Sequence, residues 1–200
     1  MAKQKWKPGN MVYPLPAVLV SCGDKEGNLN LMTAAWTGTI CSDPPMVYVS
    51  IRKERHSHHM IRETGEYVIN LTTEKLARAT DFCGVRSGRD MDKFKEMQLT
   101  PVHGELKYAP MVEESPVSIE CQVTQVVELG SHDMFMAKVT AVYVDETYMD
   151  GKGAAGLFPW TVLRNRKAYR RFWICGSKKN GEKKAGEKEV KRIVNFQDGG

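Results

Sequence analysis

The sequence has no long apolar run, and this absence excludes one class of protein. No stretch of the 200-residue chain approaches the roughly 20 apolar residues that a helix needs to cross a bilayer. Basic residues near the start are not followed by a long apolar segment, and residues 17–22 are too few for the apolar part of a signal peptide. We therefore expect no contact with a membrane and a cytoplasmic location.

Cysteines are few, odd in number and widely spaced, at Cys22, Cys41, Cys83, Cys121 and Cys175. No CxxC pair occurs, so neither a zinc knuckle nor a dithiol redox motif is supported. Most of them lie in apolar runs, which favours reduced thiols in the core. Cys83, in the sequence DFCG, could also be a reactive thiol, although nothing nearby clearly lowers its pKa.

Positive charge is in small excess, and its distribution argues against nucleic acid. The net charge is +5, and residues 177–200 hold seven Lys or Arg against four Asp or Glu. Residues 1–176 are predicted to form one globular domain, and residues 177–200 a basic, flexible tail. The alternative interpretation of this tail is an arm that binds nucleic acid, and the four acids that the tail also carries argue against it.

Apolar alternation predicts a mainly β protein. Strands are expected at residues 17–22, 29–39, 46–51, 67–71, 115–129, 134–144 and 169–175, and short helices at 58–63, 73–82 and 91–97, with Ser57 and Thr73 as N-caps. A turn at residues 24–28 makes the first two strands a hairpin. Too few long helices separate the strands for a parallel sheet, so we predict an antiparallel β-barrel with a few short helices, with a sandwich as the alternative.

Residues 47–61, VYVSIRKERHSHHMI, combine the groups that a phosphate requires. Arg52 and Arg55 can donate bidentate hydrogen bonds, and Ser57 can add a hydroxyl at the start of a helix. The alternative is a solvated basic turn after a strand. Of the three clustered histidines, His56 and His59 would be neighbours on the helix. No carboxylate or cysteine completes a set of ligands with them or with His58, so no metal site is predicted.

Three further stretches have features of a flavin site. In residues 28–37, Asn30 and Trp36 could serve a flavin ring, or the segment could be an ordinary strand with a core tryptophan. Residues 87–94, SGRDMDKF, bring Ser87 and Lys93 toward an anion, or form a charged surface turn. His132 lies at a hairpin turn, where it could contact a cofactor or simply be exposed.

The four stretches, in this order, resemble the flavin reductase-like FMN-binding proteins, and most of all their flavoredoxin branch. The resemblance covers residues 11–172 and rests on N-x-M-T-x-A-W from Asn30, S-x-R-x-x-R-x-S from Ser50, S-G-R-D-x-D-K-F from Ser87 and the G-x-H turn ending at His132. It implies an FMN-binding split β-barrel of Greek-key type, which dimerises and holds FMN without a covalent link.

The same resemblance implies a role for each residue. Along the flavin ring it places Asn30, Trp36, Thr37 and His132, with Ser50 and Ile51 contacting through backbone groups and Phe158 closing the pocket. At the phosphate or ribityl chain it places Arg52, Arg55, Ser57, Ser87 and Lys93.

The implied function is a flavoprotein oxidoreductase that receives electrons from a reduced nicotinamide or from a redox protein such as ferredoxin. In two-component flavin reductases the turn usually reads Gly-Asp-His with a later Gly, whereas this chain has Ser131 and Ala137. This departure favours the flavoredoxin type over efficient use of NAD(P)H. The alternative is a protein that binds FMN as a carrier or sensor without catalysis.

Overall fold

The computed structural model describes residues 2–149, which form one mainly β domain. The strands are β1 (Val18–Gly23), β2 (Leu29–Ala34), β3 (Thr37–Ser42), β4 (Pro45–Arg52), β5 (Glu66–Asn70), β6 (Pro101–Val102), β7 (Met111–Val112), β8 (Val117–Glu128) and β9 (His132–Val144). The helices are α1 (His56–Thr64), α2 (Ala77–Val85) and α3 (Lys93–Met97), followed by a 3₁₀ turn at Glu146–Tyr148. None of the helices described is long and apolar enough to cross a membrane.

Seven strands form one antiparallel sheet in the order β2-β1-β5-β8-β9-β4-β3. The two end strands of this order, β2 and β3, are consecutive in the chain. Trp36 lies in the short connection between them, and its carbonyl accepts a hydrogen bond from the Ser50 N–H of β4 at 2.8 Å. Met32 of β2, Val49 of β4 and Phe135 of β9 pack in one core. The sheet is therefore rolled around a single interior, which confirms the predicted barrel over a sandwich.

Strands β1 and β2 are buried on both faces. One face contributes Val20 and Met32 to the barrel core. The other contributes Leu19 and Leu31 to a second cluster, against α2 and α3. Alternate residues of a strand point to opposite faces, so these helices cover the outside of the β1–β2 hairpin. The predicted turn of this hairpin is present, and Asp24 accepts hydrogen bonds from the backbone N–H of Asn28 at 2.8 Å and of Glu26 at 3.0 Å.

Three local predictions were wrong. The extended run predicted at residues 29–39 is two strands, because the chain turns at residues 35–36 to pass from one end of the sheet order to the other. Ser57 is not an N-cap: α1 begins at His56, and Arg55 occupies the cap position without a side-chain hydrogen bond. Thr73 is not one either, since α2 begins at Ala77. The strand predicted at residues 169–175 and the tail at residues 177–200 lie outside the described residues.

Candidate functional site

A cleft of about 540 Å³ opens between the start of α1, strand β2 and the loop that follows α2. Residues from distant parts of the chain meet in it. It is lined by six of the residues selected from the sequence, namely Asn30, Arg52, Arg55, Ser57, Ser87 and Lys93. It is also lined by His56, Arg86, Gly88 and Arg89, to which the sequence analysis gave no role. The volume lies within the usual range for a small-molecule site.

The floor of the cleft is a buried pair of polar side chains. Asn30 Nδ2 donates to Ser57 Oγ at 2.8 Å, and the two residues are only 2% and 1% exposed. Asn30 Oδ1 is buried and has no hydrogen-bond partner among the described residues. Gly88 passes directly above it, where a Cβ would meet Oδ1 at 2.1 Å. An unpaired acceptor beneath a glycine loop is consistent with a site for a ligand that donates a hydrogen bond.

The walls of the cleft are strongly cationic. Arg52, Arg55, Arg86, Arg89 and Lys93 line it, against the single carboxylate of Glu54. The ion pairs found in the described part of the chain include none of these cations. Arg55 is oriented by one hydrogen bond, from Nη1 to the Gly84 carbonyl at 3.0 Å. A concentration of unpaired guanidinium groups is what binding of a phosphate requires.

Lys93 is the buried member of this cationic wall and is only 3% exposed. Its Nζ donates to the carbonyls of Leu31 at 2.7 Å and Cys83 at 3.1 Å. Burial lowers the pKa of Lys93 from its ordinary value, and the nearby Arg55 adds to this effect. The sequence predicted Lys93 on a short helix after a turn, with a charged surface turn as the alternative; the structure places it at the start of α3 with its ammonium held by two carbonyls.

A second group of predicted residues lies at the joined ends of β4 and β9. Trp36 stacks on His132 with ring centroids 4.5 Å apart and planes 30° apart. His132 is the cross-strand partner of Arg52, so the stack lies next to the cationic cleft. Burial and the charge of Arg52 lower the pKa of His132, which favours the neutral ring. Its Nδ1 lies 2.8 Å from Ser131 Oγ.

Thr37, Ser50 and Ile51, which were also predicted to contact the ring, each make contacts within the protein. Thr37 donates from Oγ1 to the Tyr48 carbonyl at 2.6 Å. The Ser50 N–H is engaged with Trp36, so a ligand contact at Ser50 would use another of its polar groups. The Ile51 side chain is 1% exposed and belongs to the barrel core. Phe158 lies outside the described residues.

Among the described residues, the clustered histidines of α1 do not form a metal site, and Cys83 is not a reactive thiol. His56 and His59 are adjacent on α1, with ring centroids 5.0 Å apart, and no group of three potential ligands that could hold a metal occurs among residues 2–149. Cys83 is fully buried, and burial raises its pKa to about 11. It is therefore a core thiol and not a reactive one, as are the buried Cys22 and Cys121.

Comparison with known proteins identifies the family. Residues 10–170 match the family model described as the flavin reductase like domain. This chain belongs to that family. It is 36% identical to flavoredoxin of Desulfovibrio vulgaris (Miyazaki F), whose structure covers 76% of this chain and is itself covered to 81%, with a TM-score of 0.70. The resemblance seen in the sequence is thus confirmed.

Further structures show the same fold. An FMN-binding protein from Thermus thermophilus is 26% identical over 76% of this chain and 84% of its own, with a TM-score of 0.65. A split-barrel protein from Shewanella frigidimarina is 26% identical over 70% of this chain and 71% of its own, with a TM-score of 0.64. The predicted split-barrel fold is therefore confirmed.

Similarity to a curated relative is limited to part of that protein. An uncharacterized protein from Aeropyrum pernix is 33% identical over 142 residues, which are 70% of this chain and 54% of the relative. This chain thus spans about half the length of that relative.

Proposed function

We propose that this flavin reductase-like protein is an FMN-binding oxidoreductase of the flavoredoxin type, with FMN held without a covalent bond. The observation that carries the proposal is the cationic cleft, which has a buried polar floor and lies next to the Trp36–His132 stack. It would suit a ligand with a phosphate at one end and an aromatic ring at the other. The flavoredoxin and FMN-binding neighbours support FMN as that ligand.

In this proposal the phosphate is held by the start of α1 and the loop after α2. Arg52 and Arg55 donate to its oxygens, and Lys93 adds a fixed positive charge. The hydroxyls of Ser57 and Ser87 contribute further hydrogen bonds near the phosphate or the ribityl chain. Each of these side chains lines the one cleft, so a single ligand can reach all of them.

The ring is held on the side of β3, β4 and β9. Trp36 and His132 offer an aromatic surface. Asn30 is proposed to contact the ring from the floor of the cleft, and Thr37, the residue after Trp36, is proposed to contact it from β3. Ser50 and Ile51 are proposed to contact the ring through backbone groups, and Phe158 to cover it. Neutral His132 can donate one hydrogen bond without bringing a charge to the ring.

Bound FMN would supply the capacity to accept and release electrons. The protein would bind the cofactor, orient its ring and set the electrostatic environment through the cationic wall. Ser131 in place of the usual Asp of the turn supports a flavoredoxin over an efficient NAD(P)H-dependent reductase. We propose a reduced nicotinamide or a ferredoxin-like protein as the electron donor, a homodimer as the functional unit and the cytoplasm as its location.

Absorbance of the purified protein tests the proposed cofactor. A yellow protein, or a colourless one that takes up added FMN, is expected. Replacing Arg52 and Arg55 by Ala should weaken FMN binding about a hundredfold, because two charge-assisted hydrogen bonds are lost, and should leave riboflavin binding nearly unchanged. The matched control replaces Lys75, just before α2, and Arg78, in α2, by Ala. Both side chains are exposed, and neither lines the cleft. Failure to bind FMN in any form would contradict the proposal.

Rapid-mixing reduction of the FMN-loaded protein tests the oxidoreductase role. NADH, NADPH and reduced ferredoxin are compared as donors, and reoxidation is followed by absorbance. Reduction by one of them at a rate above that of free FMN is expected. FMN that stays oxidised with all three donors would favour a carrier or sensor over an oxidoreductase.

A further inference from the structure

A fully buried carboxylate lies at the start of β9, on the opposite side of the strand from the stack. Asp133 is 0% exposed. Its Oδ2 is 2.9 Å from His58 Nε2 and 3.3 Å from Arg62 Nη1, and its Oδ1 is 3.3 Å from Lys53 Nζ. A buried charge is costly unless it is paired, and here basic groups surround it on both oxygens.

The basic partners of Asp133 lie in the turn before α1 and in α1 itself, the helix whose start is proposed to hold the phosphate. Lys53 lies in the turn after β4, and His58 and Arg62 lie four residues apart on one face of α1. Arg52 ends β4 directly before Lys53, and Arg55 follows two residues after it at the cap position of α1. The carboxylate therefore ties the start of β9 to this turn and helix.

The start of β9 also carries the stacked histidine. Cross-strand pairing sets Asp133 opposite Ile51 and His132 opposite Arg52. Because neighbouring residues of a strand point to opposite faces, Asp133 reaches into the barrel end while His132 lies over Trp36 on the other face. Because His132 is the residue before Asp133, ion pairs that hold the Asp133 backbone in place also hold the position of His132.

We propose that Asp133 is a positioning residue that holds the Trp36–His132 stack in place relative to the phosphate-binding turn. This inference rests on the proposed function, since it assigns the stack to the ring and the turn to the phosphate. It explains why a charge is buried at this position: the ion pairs join the two halves of the cofactor site across the end of the sheet.

The chain offers a matched control in a second buried carboxylate. Glu120 of β8 is also 0% exposed and accepts hydrogen bonds from the Glu105 N–H at 3.1 and 3.2 Å. It secures a loop that does not line the cleft. Glu120→Gln should therefore destabilise the protein as Asp133→Asn does, without disturbing the stack.

The stack can be observed without flavin by fluorine NMR of protein labelled with 5-fluorotryptophan. Trp36→Phe identifies the Trp36 signal among those of the four tryptophans. In the parent protein this signal should shift as His132 titrates, with Arg52 and Glu54 the charges that act on that ring. Asp133→Asn should reduce the shift by about half or more, whereas Glu120→Gln should leave it unchanged.

Binding supplies a second readout. The preference for FMN over riboflavin should fall about tenfold in Asp133→Asn, because the ring and phosphate sites no longer hold one ligand together, and should stay constant in Glu120→Gln. If Asp133→Asn does not fold, Lys53→Gln removes one ion pair at a half-exposed side chain and should show the same effects more weakly.

The outcomes separate this inference from the proposed function. An unchanged Trp36 titration and an unchanged FMN preference in a folded Asp133→Asn or Lys53→Gln protein would overturn the positioning role. A stack that responds as expected in a protein that never binds FMN would instead overturn the proposed function.

Discussion

Asn30 Nδ2 and Ser57 Oγ are joined by a hydrogen bond of 2.8 Å that connects β2 to the first turn of α1. Ser57 lies one residue inside the helix, past the cap position, and its hydroxyl oxygen accepts from a neighbouring strand. It also places a buried amide at the base of the cationic cleft, with the amide oxygen left unpaired below Gly88.

Gly88 is predicted to be intolerant of a side chain. In Gly88→Ala the new Cβ would lie 2.1 Å from Asn30 Oδ1, so either the loop after α2 or the amide of Asn30 must move, and both belong to the cleft. We expect FMN affinity, measured by quenching of flavin fluorescence, to fall about tenfold, the equivalent of 1.4 kcal/mol. The matched control is Gly130→Ala, where a Cβ would meet nothing within 4 Å. Equal affinities for the two variants would show that the close approach of Gly88 does not matter.

Lys93 is predicted to contribute to both stability and phosphate binding. In Lys93→Met the carbonyls of Leu31 and Cys83 lose their donor, which should lower the free energy of unfolding by about 1–3 kcal/mol. Urea denaturation measures this loss. FMN affinity should fall while riboflavin affinity changes little, because only the phosphate responds to the missing charge.

The control for Lys93 is Lys95→Met, which removes an exposed lysine from the same helix. It should leave both stability and FMN affinity close to those of the parent protein. An equal loss of FMN and riboflavin affinity in Lys93→Met would assign Lys93 to the architecture of the cleft and not to the phosphate.

Local sequence patterns predicted the barrel and much of the cleft, because alternation and short motifs reflect local chemistry. Asn30, Arg52 and Ser57 were selected by motif, and the structure brings them to one cavity. The break at residues 35–36 was missed, since Ala35 and Trp36 are not turn-forming residues and only pairing across the sheet separates the two strands.

Other features depend on contacts between distant segments. The burial of Lys93 follows from the packing of α3 on β2, which no pattern within SGRDMDKF reveals. Asp133 was also missed, although an acid at the head of an apolar strand and next to a selected histidine was a usable signal. Arg89 was part of the predicted S-G-R-D turn without a role of its own, and Arg86, directly before Ser87, was not selected because charged loop residues are common.

Asp133 is also predicted to make the free energy of unfolding depend on pH. Burial alone would raise the pKa of this carboxyl, but the hydrogen bond from His58 and the nearby positive charge of Lys53 outweigh it and hold the pKa below its ordinary value of 3.8. The ionised form is thus favoured by the folded state. Its stabilising contribution is complete above the unfolded-state pKa and is lost as pH falls through that value toward the folded-state pKa.

The free energy of unfolding, measured by urea denaturation across pH, checks this sign. The parent protein should exceed Asp133→Asn by a difference that is largest above about pH 5 and shrinks steadily below about pH 4. Glu128→Gln is the control, because Glu128 pairs with the same Arg62 but is exposed, and exposed pairs contribute little. A difference between parent and Asp133→Asn that grows as the pH falls would contradict the lowered pKa.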